Sequence, residues 1–150
     1  MRGEFNRQCE ETDLSLRLLD AGWVTRLGNS KPVLHYESPV RDRSRIVYYQ
    51  TRNNLLLVLL DMPLVILPLH YAVTARNVVR AGLRAGYPAA TLRGVVSATL
   101  GGVTMLRRRR PVRLTTYRLF RMLRRGAQVT LAQVEDRLPL QPQMTRQSGG

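Results

Sequence analysis

The sequence predicts an α/β segment followed by a mainly α-helical, basic region that associates with membranes. Three observations lead to this prediction. Two short strand patterns follow an N-terminal helix, the later helical stretches are unusually apolar, and the excess positive charge lies within those stretches. With 150 residues, 44% of them hydrophobic and 23% charged, the chain can bury a core. This composition excludes a wholly disordered protein.

The net charge of +14 comes from one part of the chain. Residues 1–61 carry nine basic and eight acidic side chains, residues 62–134 carry thirteen arginines and no Asp or Glu, and residues 135–150 carry two of each sign. Genomic base composition explains a general arginine bias but not this clustering. We therefore divide the chain into residues 1–60, an apolar, arginine-rich helical region over 61–134, and a disordered tail over 135–150.

The N-terminal part alternates between helix and strand patterns. Residues 14–21 predict a helix that Thr12-Asp13 caps and that Gly22 ends in a left-handed conformation. Two short strands are predicted after it, at residues 23–27 and 33–37, and the turn-forming sequence Gly-Asn-Ser-Lys-Pro separates them. The lone Cys9 excludes an intramolecular disulfide and fits a reducing compartment.

The rest of the chain is predicted to be helical. Gly, Pro and charge patterns place helices at residues 42–60, around Arg76–Arg84, and at 89–106 and 114–125. Residues 55–75 contain Asp61 as their only formal charge, and this length is close to that of a membrane span. Three alternatives remain for this stretch: a transmembrane helix, an interfacial or re-entrant segment, and a buried helical hairpin. Pro63 and Pro68 argue against a plain span.

Arginines follow the apolar stretch at helical spacing. Arg76, Arg80 and Arg84 lie at i, i+4 and i+8, and four consecutive arginines occupy residues 107–110. Apolar helices that carry arginine and no acidic residue suit an anionic membrane surface. We expect a peripheral or re-entrant location on the cytoplasmic face of the cell membrane. The alternative is a solvated basic face on a helical bundle.

Three ordered motifs resemble a known family. Residues 10–18 read E-E-T-D-L-S-L-R-L and are followed by A-G-W at 21–23, then P-V-L-H at 32–35 and Y-Y-Q-T-R-N at 48–53. This order resembles the E-[DE]-x-D-L-S-x-R-L…A-G-W block and the following motifs of bacterial family 2 inverting glycosyltransferases, which have the GT-A fold. The resemblance implies that residues 1–60 are the acceptor-side, C-terminal part of a GT-A domain.

The resemblance also implies roles for the acidic block. Glu11 matches the general base that deprotonates the acceptor hydroxyl, although many family members have Asp there. Glu10 and Asp13 match supporting acidic positions. Without the resemblance, these residues are simply an acidic first turn, stabilised by the helix dipole.

Further residues match other positions of the family. The resemblance implies substrate-binding roles for four residues: Arg17, Trp23, Arg52 and Asn53. It also implies that His35 contacts the metal or the diphosphate. Arg52 and Asn53 have an alternative role as anchors of their helix, and His35 as a structural strand residue.

The family implies chemistry that these 150 residues do not contain in full. No D-x-D metal motif occurs, and no βαβ unit precedes residue 10. We expect the complete enzyme to use Mg²⁺ or Mn²⁺ and to transfer sugar from a nucleotide-sugar donor to a cell-surface glycan or lipid-linked acceptor, as in cell wall polysaccharide biosynthesis. This chain alone is expected to be inactive. The competing hypothesis is a non-enzymatic basic protein that binds membranes, with nucleic acid ranked lower because no nucleic-acid-reading motif is present.

Overall fold

The computed structural model describes residues 9–25, 41–125 and 129–139, and these residues form helices without any strand. Six α-helices follow one another along the chain, with one short 3-10 turn, Leu106–Arg108, after the fourth. They are α1 (Glu10–Asp20), α2 (Arg43–Asp61), α3 (Leu67–Arg84), α4 (Pro88–Met105), α5 (Leu114–Arg124) and α6 (Leu131–Glu135).

The predicted α/β class is wrong, because the described chain is 75% helical and contains no sheet. Trp23, Val24 and Thr25 form no strand; the rest of that predicted strand and the whole second one lie outside the described residues. The reason lies in how α1 ends. The Trp23 N–H donates to Leu18 O (2.8 Å) and the Gly22 N–H to Leu19 O (3.0 Å). These two bonds close the helix C-terminus, so Trp23 turns back on α1 instead of extending away from it.

Gly22 ends α1 as predicted, with a φ of 82°. The predicted start at residue 14 is wrong. α1 begins at Glu10, with Cys9 at the N-cap position, and the proposed caps, Thr12 and Asp13, lie within the helix. The Asp13 carboxylate instead pairs with Arg17 one turn later, so it is not available to cap the helix.

Helices are confirmed at the four later places where the sequence predicts them, although α3 begins at Leu67, nine residues before the predicted stretch around Arg76–Arg84. The side chain of Asp42 caps α2 by accepting a hydrogen bond from the Arg45 N–H (3.0 Å). The predicted break at Asp61-Met62-Pro63 separates α2 from α3, so residues 55–75 belong to two helices. The first arm of this hairpin, Leu55 to Leu60, is mostly buried, whereas Leu69 on the second arm is exposed.

Small residues allow α4 to pack closely against α2. Gly94, Ala98 and Gly102 recur every four residues and are buried. A Cβ atom added to Gly94 would lie 2.8 Å from the Thr51 Cβ, and one added to Gly102 would lie 2.4 Å from the Leu59 Cδ1. The backbones of the two helices are therefore closer than ordinary side chains would permit.

The C-terminal end of α2 receives its hydrogen bonds from the segment after α4. The Arg109 Nε donates to Leu59 O (2.8 Å), and its guanidinium also donates to Met62 O. The backbone N–H of Val112 donates to Asp61 O (2.9 Å). These bonds satisfy carbonyls that have no partner within the helix. They also hold the start of α5 against the end of α2.

α1 is attached to α5. Leu19, Leu119 and Val134 form a small second core, to which α6 contributes Val134. The sequence did not predict α6, a five-residue helix with a reciprocal cap between Thr130 and Gln133. Most of the tail predicted to be disordered lies outside the described residues.

Candidate functional site

The acidic block occupies the first turn of α1, and its three carboxylates differ in exposure. Asp13 is only 1% exposed, Glu10 is half-buried, and Glu11 is exposed. All three lie at the positive end of the helix dipole. Glu11 is thus the member of the block that solvent or a bound molecule can reach.

Asp13 and Arg17 form an ion pair one helical turn apart. The pair is partly buried, and the Arg17 side chain retains about a third of its exposure. Asp13 therefore holds Arg17 in place along α1. The structure brings together these two predicted residues and places them on the same helix as Glu10 and Glu11.

Cys9, at the start of α1, packs against the main core. Burial and then the neighbouring Glu10 charge raise the pKa of the Cys9 thiol to about 11, while Arg124 on α5 acts in the opposite direction. Glu10 has one buried carboxylate oxygen, Oε2, that finds no hydrogen-bond partner within the described part of the chain. Arg124 is therefore close enough to α1 to influence its N-terminal end.

The other predicted site residues lie elsewhere. Trp23 is 56% exposed after the end of α1. On α2, Arg52 Nη1 donates to Asn53 Oδ1 (2.7 Å), and Asn53 is fully buried. This geometry matches the alternative in which the pair anchors its helix. His35 lies outside the described residues.

The metal expected from the family is not accounted for by the described residues. Among them, no group of three or more His, Cys, Asp or Glu side chains is placed to hold an ion. The exposed carboxylate of Glu11 is one oxygen donor and does not form a ligand set by itself. We therefore assign no chemical step to a metal.

A cationic cleft lies between α2, α3 and α5, and the sequence analysis did not predict it. Two adjoining cavities of about 230 and 570 Å³ share five lining residues: Asn54, His70, Thr74, Arg121 and Arg124. We refer to these five residues as the cationic cleft. Among the residues that the structure describes, no Asp or Glu lines either cavity.

Aromatic contacts fix the cationic side chains of the cleft. His70 Nδ1 is 3.1 Å from the Tyr117 hydroxyl, and the two rings meet edge to face. Arg121 lies over the Tyr117 ring and Arg124 over the Phe120 ring. Burial, followed by the charges of Arg121 and Arg124, lowers the pKa of His70. The imidazole of His70 therefore takes up a proton less readily than an ordinary histidine does.

An apolar face of α4 is exposed. Leu92, Val96, Leu100 and Val103 lie opposite the small residues that pack on α2 and are each about half exposed or more. The stretch Pro88–Arg108 is long and apolar enough to cross a membrane: an 18-residue part of it has a mean hydropathy of 1.3, and 28% of that part is buried. Core helices of soluble proteins can share this length and composition. We refer to these four residues as the α4 apolar face.

The comparisons with known proteins identify no relative. No family model, no curated protein and no solved structure matches this chain.

Proposed function

We propose that this chain provides the acceptor side of an inverting glycosyltransferase that works at a membrane surface, with Glu11 as the general base. The observation that carries this proposal is the difference in exposure within the acidic block. Asp13 is buried and paired with Arg17, whereas Glu11 is exposed at the helix N-terminus. A base that takes a proton from an acceptor hydroxyl must lie within hydrogen-bond distance of it. Glu11 is accessible to such a hydroxyl.

The order of the motifs around α1 supports the same proposal. The block E-E-T-D-L-S-L-R-L forms one helix, and the A-G-W that follows forms its C-terminal closure. The proposal does not require a sheet in the described residues. It assigns a reactive role to Glu11, a positioning role to Asp13 through Arg17, and a structural role to Arg52 and Asn53.

The α4 apolar face supports the membrane location. Leucine and valine side chains on one side of a helix favour burial among lipid chains, and arginines near an anionic leaflet contribute about 1 kcal/mol each. The exposed arginines 107, 108 and 110 follow directly after this face. We propose that the α4 apolar face contacts an anionic bilayer.

The test is a transfer assay. The chain is combined with a separately expressed donor-binding domain of an inverting glycosyltransferase, nucleotide sugars and anionic membranes that carry lipid-linked acceptors. The proposal expects sugar transfer that depends on the chain and is lost in Glu11→Gln. Absence of transfer, or transfer that Glu11→Gln leaves unchanged, contradicts it.

The second candidate is a non-enzymatic basic protein whose whole function is to bind membranes. The α4 apolar face also favours this function, and the transfer assay separates the two. Membrane binding without transfer under any donor supports the second candidate.

A further inference from the structure

The cationic cleft combines several hydrogen-bond donors with a local excess of positive charge. Arg121 and Arg124 are three residues apart on α5 and therefore share one helix face. Asn54 contributes an amide from α2, and Thr74 contributes a hydroxyl from α3. Three helices thus direct polar groups toward the same space.

The described residues provide no carboxylate within the cleft to pair with the two arginines. Within residues 9–25, 41–125 and 129–139, neither Arg121 nor Arg124 forms an ion pair with an Asp or Glu. Two like-charged guanidinium groups three residues apart on one helix face repel each other. An anion between them removes the repulsion and gains charge-assisted hydrogen bonds.

We infer that the cationic cleft binds a phosphoryl group, with Arg121 and Arg124 as its principal ligands and Asn54 and Thr74 as additional donors. The planar guanidinium matches phosphate oxygens in a bidentate geometry. The aromatic rings of Tyr117 and Phe120 hold the two guanidinium groups in place. The larger cavity, about 570 Å³, has room for a diphosphate.

The phosphoryl group has two possible sources: a soluble phosphate compound and a lipid phosphate headgroup. The cleft is lined by apolar as well as polar side chains, including Leu57, Val58 and Phe120. This inference goes beyond the proposed sugar transfer and does not depend on it, because binding is measured without donor or acceptor sugar. Failure of either proposal therefore leaves the other standing.

The first experiment is calorimetric titration of the full chain with inorganic pyrophosphate. The double variant Arg121→Gln/Arg124→Gln removes both principal ligands. The matched control is Arg76→Gln/Arg80→Gln, which removes the same charge from exposed positions on α3 outside the cleft. We expect saturable one-to-one binding that falls at least tenfold in the cleft variant and changes less than twofold in the control. Equal losses in both variants, or no saturable binding, overturn the inference.

A second measurement does not depend on removing an arginine. His70 shares the two cavities with four other described residues that have ionisable side chains, and all four are on α5 or directly after it: Tyr117, Arg121, Arg124 and Arg125. The residues that α2 contributes to the cavities have no ionisable side chain. A phosphoryl anion beside His70 favours the imidazolium, so pyrophosphate must raise the pKa of His70. NMR titration measures this pKa, with His70→Gln identifying the resonance. A pKa that pyrophosphate leaves unchanged contradicts the inference.

Vesicle flotation distinguishes the two sources. Phosphatidylcholine vesicles contain either phosphatidic acid, with a terminal phosphoryl group, or phosphatidylglycerol at the same surface charge. A lipid source predicts that Arg121→Gln/Arg124→Gln selectively reduces binding to the phosphatidic acid vesicles. A soluble source predicts that the cleft variant binds pyrophosphate less tightly than the control does. It also predicts that the two variants bind both kinds of vesicle equally. If the cleft variant binds both pyrophosphate and phosphatidic acid vesicles as well as the control does, the inference is overturned.

Discussion

Asp20, the last residue of α1, accepts a hydrogen bond from the hydroxyl of Thr116 on α5 (2.7 Å), 96 residues further along the chain. The same carboxylate oxygen accepts from the Arg113 N–H (2.9 Å). One side chain therefore satisfies a free backbone donor at the start of α5 and a buried hydroxyl within it. This contact holds the helix with the acidic block against the C-terminal part of the fold.

We expect Asp20→Ala to lower the free energy of unfolding by about 2 kcal/mol, because it leaves the Arg113 N–H and the buried Thr116 hydroxyl without their acceptor. The matched control is Asp42→Ala, which removes a local, exposed cap from α2 and should cost about 1 kcal/mol. Urea unfolding followed by circular dichroism measures both. An Asp20→Ala effect no larger than that of Asp42→Ala contradicts the cross-chain role.

The close approach of α2 and α4 predicts that alanine substitutions at two glycines of α4 have opposite effects on stability. In Gly94→Ala, the new Cβ would lie 2.9 Å from the Tyr48 carbonyl oxygen, a backbone atom that cannot move freely, and we expect a loss of about 1–3 kcal/mol. In Gly101→Ala, the nearest contact is the Leu56 Cδ2 at an ordinary 3.9 Å. Here the better helix propensity of alanine should stabilise the fold by about 0.5–1 kcal/mol. Thermal and urea unfolding measure both, and equal effects argue against the close packing.

For Glu11, we expect Glu11→Gln to reduce kcat by about 10²- to 10⁴-fold in the completed transfer assay, because glutamine keeps the shape but cannot take a proton. Donor affinity should change little, and Glu11→Asp should retain most of the activity. Glu10→Gln is the control, since Glu10 is half-buried. A collapse of kcat in Glu10→Gln with Glu11→Gln near wild type would assign the base to the neighbouring residue.

The α4 apolar face predicts membrane binding with two components. Flotation with phosphatidylcholine and phosphatidylglycerol vesicles should decrease but persist as salt is raised, since salt screens the arginines but not apolar burial. Leu100→Ser should reduce the vesicle partition about five- to tenfold. Leu131→Ser, on α6, removes an exposed leucine from another surface and should have little effect. Equal binding of the wild type to neutral vesicles argues against a role for the arginines.

The thiol of Cys9 predicts a pH dependence. Because burial and Glu10 raise its pKa to about 11, alkylation by iodoacetamide should be slow at pH 8 and should increase up to about pH 11. Removing the acidic neighbour in Glu10→Gln should lower the pKa, and Arg124→Gln should raise it further. Stopped-flow alkylation against pH checks these directions. An unchanged profile in Arg124→Gln would show that α5 does not influence the start of α1.

The sequence predicted the later helices well because their signals are local. Pro63 and Gly86 interrupt the helical patterns, and the effect of such helix breakers is limited to a few residues. The strand predicted at residues 23–27 failed where it is described, because a five-residue apolar pattern does not show whether a partner strand exists. Trp23 instead completes the end of α1.

One part of the candidate site could be predicted from the sequence and another part could not. The exposure pattern of Glu10, Glu11 and Asp13 follows from one helix, so the acidic block was visible in the sequence. The cationic cleft depends on the approach of His70 to Tyr117, 47 residues apart. No local pattern indicates which other helix meets the face of α5 that carries Arg121 and Arg124.

The attachment of α1 to α5 has a consequence for the order in which the protein forms. During synthesis α1 leaves the ribosome before α5, and the backbone N–H that Asp20 binds belongs to Arg113, 93 residues later. Until α5 has been made, the start of the chain lacks the partner that fixes its position, and such long-range contacts form slowly. The acidic helix is therefore translated before α5 but reaches its final position only once α5 is present.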